Sequence, residues 1–569
     1  MIAAVKKRDG RLEKFAPEKI TWAIFKAANA VGGNDFEMAE GLCQEVVALL
    51  DKKYTGNTPD IESIQDVVEK VLIEHGHAQT AKAYILYREK RKGAREINAL
   101  IGATIDMFSD YLGDKDWHIQ ENANTQKSIN GLNNYVRETF TKKYWLHEIY
   151  PDEVREAHEG GDAHIHDLGF FGPYCAGWDL RQLLTDGFGG VYGKVESGPA
   201  KHLRSFLGQI VNSTFTTQGE TAGAQAWSSF DTYCAPFIRY DNMTYEQVRQ
   251  CLQEFVFNIN VPTRVGFQCP FSNLTFDIKV PSTLRGDNVI IGGKMMAEKY
   301  GDFQAEMDLF NKAFCDVMLA GDAHGRVFTF PIPTLNITKD FDWDSEVVDA
   351  FMQITCKYGI PYFANYINSD LSPEDAVSMC CRLRLDLREL RKKSGGFFGS
   401  GESTGSVGVV TINLPRIAYL AKDESDFYQR LDKLMDIAAR SLKTKRTVIT
   451  KLLEAGLYPY TKRYLGTFDN HFSTIGLIGM NEVGLNAGWL RADLTHKETQ
   501  QFTKDVLNHM RERLSDYQEQ YGDLYNLEAT PAESTTYRFA KHDKEEFPDI
   551  ITANENGTPY YTNSSHLPV

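Results

Sequence analysis

The chain has 569 residues, of which 42% are hydrophobic and 24% charged, and its formal net charge is −15. That composition belongs to a folded protein with room for more than one domain. The acidic balance excludes a general nucleic-acid binder, whose footprint is basic, so DNA is not an expected partner, but nucleotide binding needs only a local set of donors.

The start, Met1-Ile2-Ala3-Ala4-Val5 followed at once by Lys6-Lys7-Arg8-Asp9, is unlike a secretory leader. No run of about 18 apolar residues suggests a membrane span. Residues 1–95 form a first unit. Val5 to Phe15 reads as a hairpin turning at Asp9-Gly10. Pro17-Glu18 opens a helix with Ile20, Ala23, Ile24 and Ala27 on one face. A second helix follows Pro59-Asp60, with Ile61, Ile64, Val67, Val68 and Val71 on one face, and a third runs through Ala81, Tyr84 and Ile85. The cations Lys6, Lys7, Arg8, Arg11 and Lys19 gather at one end of the unit. They are either a solvated charged hairpin or a grip on a polyphosphate.

Residues 96–117 read as a linker helix, and 118–569 as the main body. In His164-Ile165-His166-Asp167 a strand's period of two puts both histidines on one face. No further ligand at diagnostic spacing accompanies them, so a structural or substrate-positioning role is favoured over a metal. Cys175, between a turn and Trp178, reads by itself as a packing residue. Phe255 to Leu274 and Phe328 to Ile337 look strand-like, and Met296 to Leu319 and Ser425 to Glu454 look helical. Strands separated by long helices favour an α/β body, a barrel or a wound sheet.

Nine cysteines without regular spacing or any C-x-x-C pair point to a reduced, cytoplasmic setting and away from a zinc ribbon. The adjacent pair Cys380-Cys381 is less usual, because neighbouring thiols bridge each other only with strain. It stays available for redox, metal or radical chemistry. A Gly- and Ser-rich stretch, 394–408, then leads into Val409-Val410-Thr411-Ile412-Asn413-Leu414-Pro415-Arg416. Phe472-Ser473-Thr474-Ile475 begins another apolar strand. In Glu528-Ala529-Thr530-Pro531-Ala532-Glu533-Ser534-Thr535-Thr536 the small hydroxyl residues either cap a helix or cradle a phosphate with its free N–H groups.

Two resemblances follow from these residues. Val5, Lys7, Arg8, Asp9, Gly10, Glu13, Lys19 and Ile20 resemble the ATP-cone, the regulatory nucleotide-binding module of ribonucleotide reductases. Ala16 departs from it where some members carry a polar residue. The main body resembles the anaerobic (class III) ribonucleoside-triphosphate reductases, through His164 to Leu168, Cys175, Ser228 to Tyr233, Met379 to Arg382, Thr411 to Ile417, Ser473 to Gly476, Thr530 to Thr536 and Tyr560 to Ser565.

The resemblance implies a ten-stranded α/β barrel with the cysteine loop threading its centre. It implies thiyl chemistry: Cys381, with Cys380 as second choice, takes the 3′-hydrogen of the ribose. Cys175 takes part in reduction from the other ribose face, Asn413 binds the ribose hydroxyls, and Glu533, Ser534 and Thr535 hold the triphosphate. His164, His166, Ser473 and Thr474 are further candidates for substrate contact, and Val5, Lys7, Arg8, Glu13, Lys19 and Ile20 for allosteric ATP or dATP. Formate is the implied reductant, a radical-SAM iron–sulfur protein the implied activase and a homodimer the implied assembly, with a second, specificity-setting nucleotide site at its interface. The family also carries a glycyl radical and a four-cysteine zinc site in a C-terminal segment. The chain closes on Ser564-Ser565-His566-Leu567-Pro568-Val569 before either. The expectation is therefore a fragment, or a tail supplied as a separate chain, with no turnover by these residues alone. Two other readings are a glycyl-radical acyltransferase of the pyruvate formate-lyase type, which has no reason to carry an ATP-cone, and a catalytically inactive nucleotide sensor.

Overall fold

A computed structural model describes residues 2, 4–7, 11–54, 57–88, 111, 113, 128–264, 267–367, 376–378, 384–386, 404–531, 533–554 and 557–563. The chain divides into two compact units, Met1–Gly113 and Asp114–Val569.

In the first unit β1 (Ala4–Lys6) pairs antiparallel with β2 (Leu12–Lys14), Val5 lying opposite Glu13. The expected hairpin is there, and its Asp9-Gly10 turn lies outside the described residues. Pro17–Asn29 starts on a proline whose fixed φ suits a first helical turn. Phe36–Lys53 is capped by Asp35, which accepts from the Met38 N–H, and Ile61–Glu74 by Asp60, which accepts from Ser63. Ile20, Ile24, Leu42, Val46, Leu50, Ile64, Val68 and Val71 meet in one core.

In the second unit the strands in chain order are β3 (Ala163–Ile165), β4 (Cys175–Trp178), β5 (Gln225–Trp227), β6 (Ser272–Phe276), the hairpin β7 (Asn288–Ile291) and β8 (Lys294–Lys299), β9 (Ile332–Ile337), β10 (Tyr362–Asn365), the hairpin β11 (Ala376–Ser378) and β12 (Arg384–Asp386), β13 (Gly405–Asn413), β14 (His471–Ile478) and β15 (Leu524–Ala529). One sheet runs β10-β9-β6-β5-β4-β13-β14-β15, with β3 also on β13. Five strands, β4-β5-β6-β9-β10, are mutually parallel. So are β13-β14-β15, and the two sets join antiparallel where β4 meets β13. Against the expected ten strands, this sheet has nine among the described residues.

Helices cover the outer face of each set, and the strand residues turned to them are mostly apolar. Leu274, Phe276, Leu335 and Ile337 pack on Phe230, Phe237, Phe310, Phe314 and Phe351. Val410, Ile412, Ile475, Leu477 and Tyr525 pack on Leu431, Met435, Phe502, Val506 and Met510. On the inner face Cys175, Ala224, Ala226, Phe472 and Leu524 form one cluster drawn from both sets. Flat neighbouring strands would stand about 4.8 Å apart, so bringing β5 to β14 and β15 requires the sheet to curl about its inner face. Phe255–Ile259, expected to be extended, is instead the end of helix Tyr245–Ile259, since Val248, Leu252, Phe255 and Ile259 bury one helical stripe. Among the described residues no helix is long and apolar enough to cross a membrane.

Candidate active site

Register alone stacks the inner face into rows. At one end Cys175 lies opposite Ser406, Ser406 opposite Phe472 and Phe472 opposite Leu524. In the middle Val409, Thr474 and Asn526 are in line. At the other end His164 pairs with Thr411, Thr411 with Gly476 and Gly476 with Glu528. Because Ile165, Val410, Ile412, Ile475 and Leu477 belong to the helix-side core, the period of two assigns His164, Thr411 and Gly476 to the interior.

The rows are tied by side chains. Ser406 Oγ and Thr474 Oγ1 are 3.1 Å apart, and Thr474 donates to Asn526 Oδ1 at 2.9 Å. His166 Nε2 is 2.8 Å from Thr411 Oγ1, which donates to Thr530 Oγ1 at 3.1 Å. Gly476 makes this possible: a Cβ there would stand 2.8 Å from Thr411 Oγ1. Arg538 donates from Nη1 to His164 Nδ1 at 3.2 Å, and from Nη2 to the His158 carbonyl. A guanidinium only donates, so His164 Nδ1 is an acceptor and the imidazole is neutral. Burial first, then His166 and Arg538, hold His164 well below the usual imidazole range. Burial, Lys445 and Arg538 bring His166 down to about 3.

Glu528 behaves in the opposite way. It is 5% exposed, and neither carboxyl oxygen has a hydrogen-bond partner among the described residues. Burial raises it to about 8, so it is a neutral acid at physiological pH. It opens the Glu528–Thr536 run marked by its hydroxyl residues, with no role of its own expected there. Its one signal is an acid ending the otherwise uncharged run Leu524-Tyr525-Asn526-Leu527.

The expected site residues are only partly brought together. Cys175, His164, His166 and Thr474 share the interior. Ser473 does not: it faces helix Glu424–Glu454, where Arg446 donates to its Oγ at 3.2 Å. Asn413 closes β13 with its amide fully engaged. Its Oδ1 accepts the Arg416 N–H, and its Nδ2 donates to the Gly161 carbonyl at 3.0 Å and to Asp543 at 2.9 Å. Asp543 also takes Arg416 Nε and the Tyr561 hydroxyl, each at 2.6 Å. Glu533 opens helix Glu533–Glu546, its side chain being outside the described residues. Ser534 is half-buried, and Thr535 is buried with no partner for Oγ1 among the described residues. Cys380, Cys381 and Arg8 lie outside the described residues, the two cysteines between β11 and β12. In the first unit Glu13 accepts from Lys7 at 2.8 Å and from Lys19 at 2.6 Å, and these contacts, Lys19 foremost, draw its carboxyl down to about 2. Val5 and Ile20 are buried beneath them. Among the described residues no group of three or more His, Cys, Asp or Glu side chains is placed to hold a metal ion, so zinc fits none of them.

Comparison with known proteins places this geometry. Residues 121–569 match the family described as anaerobic ribonucleoside-triphosphate reductase, and residues 3–93 match the ATP cone domain. The chain is 28% identical to the anaerobic ribonucleoside-triphosphate reductase of Haemophilus influenzae, over 99% of this chain and 81% of that one. It is 27% identical to the Escherichia coli enzyme of the same description, over 100% and 82%. The crystal structure of the Thermotoga maritima anaerobic ribonucleotide reductase with dATP bound in its specificity site has the same fold, with a TM-score of 0.63 at 21% identity, covering 83% of this chain and 82% of that one. The curled sheet and the N-terminal cone thus define a ribonucleotide reductase of the glycyl-radical barrel type. The chain belongs to the anaerobic ribonucleoside-triphosphate reductase family.

Proposed function

We propose that ribonucleoside triphosphates are reduced to 2′-deoxyribonucleoside triphosphates inside this barrel by thiyl-radical chemistry. Formate is the reductant, and ATP and dATP set the activity through the cone. The observation that carries the reading is the inner face: a buried thiol at one end, neutral imidazoles and a neutral acid at the other, and a hydroxyl–amide ladder between them. A sulfur radical survives where water is excluded. The N-terminus of helix Glu533–Glu546, with Ser534 and Thr535, offers free N–H and hydroxyl groups to the triphosphate. Thr474 and Asn526 face the sugar beside Cys175. Asn413 reaches a ribose hydroxyl only by exchanging one of its present bonds, to Gly161 or Asp543. Glu528, carrying its proton, can donate into the interior.

Overall, formate and one proton enter, the 2′-hydroxyl leaves as water and carbon dioxide is released, so the two electrons balance. A glycyl radical installed by a radical-SAM activase supplies the unpaired electron, which Cys381 uses to take the 3′-hydrogen. In the cone, Lys7 and Lys19 exchange Glu13 for the nucleotide's phosphates. The working form is a cytoplasmic homodimer. Matching the reductase family over residues 121–569 weighs against the acyltransferase reading.

The test is anaerobic conversion of CTP to dCTP by the protein as isolated from its source, with its activase. Cys175→Ala and Cys381→Ala are expected to abolish turnover, and Cys380→Ser to keep it. Turnover without formate would refute the reductant, and turnover by Cys381→Ala would refute the radical assignment.

A further inference from the structure

Lys445 lies in the helix that covers β13, yet it is 3% exposed and its Nζ has no hydrogen-bond partner among the described residues. An ammonium without a partner is costly to bury. Its surroundings show what it serves. β3 and β4 both lie along the same edge of β13, but the chain between them leaves that edge. The last contact of the first stretch is the His166 N–H on the Val409 carbonyl, and the first of the second is the Tyr174 N–H on the Ser406 carbonyl. Between them β13 has a register irregularity, at Ser406 and Gly408. Lys445 lies over that break: a Cβ on Gly408 would be 3.0 Å from its Cδ and 3.3 Å from its Nζ. The ammonium therefore stands at an opening in the barrel wall, bracketed by His166 on one side and by the Ser406–Cys175 pair on the other.

We propose that Lys445 is the counter-cation of Cys175, reaching through the opening to favour its thiolate, with Asp167 as the competing anion on the same ammonium. The charges agree with this geometry. Burial lowers Lys445 to about 8, and Asp167 and then Cys175 pull it back up. Lys445 in turn disfavours the protonated form of His166. Among the described residues, the titratable groups acting on the ammonium are thus Asp167 and His166 from the turn after β3 and Cys175 from β4. Lys445 is a positioning residue, acting through the sulfur. A thiolate gives up an electron more readily than a thiol, so the pairing sets when Cys175 can reduce. That use rests on the reading of Cys175 as the reducing thiol; the pairing itself does not.

The test is an anaerobic pH titration of thiolate ultraviolet absorbance on the full chain, taken as the difference from Cys175→Ser. Lys445→Met is expected to move the Cys175 midpoint up by about one pH unit, a tenfold loss of thiolate at a given pH. Lys445→Arg is expected to restore it, and Asp167→Asn to move it down. A folded Lys445→Met protein with an unmoved midpoint overturns the pairing. If Lys445→Met does not fold, an unmoved midpoint in Asp167→Asn overturns it instead. None of these readouts needs turnover, so the pairing can fail while dCTP formation stands, and the reverse.

Discussion

The two ends of the barrel interior are built on the same three strands, β13, β14 and β15, and burial acts on them differently. The Cys175 row is closed by apolar neighbours, Ala224, Ala226, Phe472 and Leu524. The His164 row holds groups that would be charged in water and are stripped of charge here. One cause, desolvation, drives His166 down to about 3 and Glu528 up to about 8. One end shields a sulfur by packing, and the other keeps hydrogen-bonding groups while carrying no formal charge on these side chains. A single curled sheet provides both properties on successive residues of one face.

The strongest way to break this contrast is to open the apolar end. Phe472 is 2% exposed, and Phe472→Ala is expected to cost about 3–5 kcal/mol in urea unfolding. It should also speed alkylation of Cys175; unchanged alkylation would mean that Phe472 does not shield the sulfur. The polar end is probed by pH. The folded-state value of Glu528 lies above its unfolded value, so its stabilising contribution is full below about pH 4.5 and is lost as pH rises through about 8. Glu528→Gln should match the native stability below about pH 4.5 and exceed it in alkali, by on the order of 5 kcal/mol as an upper bound. His166 has the opposite slope. Its folded value is depressed, so stability is full above its ordinary 6.5 and falls as the pH drops toward about 3. His166→Gln should flatten that acid limb alone. Parallel unfolding curves for either variant and the native protein at all pH values would show that the group is not buried as described.

Much of the helix-side architecture was legible because it rests on local periodicity. The long helix expected over Ser425 to Glu454 is Glu424–Glu454, and the strand beginning at Phe472 is His471–Ile478. Helix Phe36–Lys53 was passed over although Asp35 caps it and Ala39, Leu42, Val46 and Leu50 mark its buried stripe. The interior was less legible, because its rows join residues more than two hundred positions apart. His164 meets Thr411 only through a register that no short window contains. Two signals were nevertheless present. Lys445 interrupts the buried stripe Ala438, Leu442 and Ile449 of its helix. Glu528 is the acid of an otherwise uncharged strand. A charged residue on an apolar stripe is expensive wherever it is structural, and both are buried with no hydrogen-bond partner for their polar ends among the described residues.

Ser473 and Thr474 give the finest test of the interior rows, because adjacent residues of one strand fall on opposite faces. Both are small hydroxyl residues, so neither announces its side. The parity of Ile475 and Leu477, which are in the helix-side core, assigns Ser473 to that side and Thr474 to the interior. Ser473 accepts from Arg446, which also donates to the Phe468 and His471 carbonyls and pairs with Asp523, so Ser473→Ala removes one of its three hydrogen bonds among the described residues. The expected cost is about 1 kcal/mol of stability, with CTP affinity as in the native protein. Thr474→Val keeps the shape but severs both the Ser406 and the Asn526 links. Its expected result adds a binding effect: a stability loss of about 2 kcal/mol for two severed buried hydrogen bonds, and CTP binding weakened about tenfold by calorimetry, since a tenfold change needs only about 1.4 kcal/mol of lost sugar contact. If Ser473→Ala weakened CTP binding and Thr474→Val did not, the face assignment of β14 would be inverted, and with it the row that runs from His164 through Thr411 and Gly476 to Glu528.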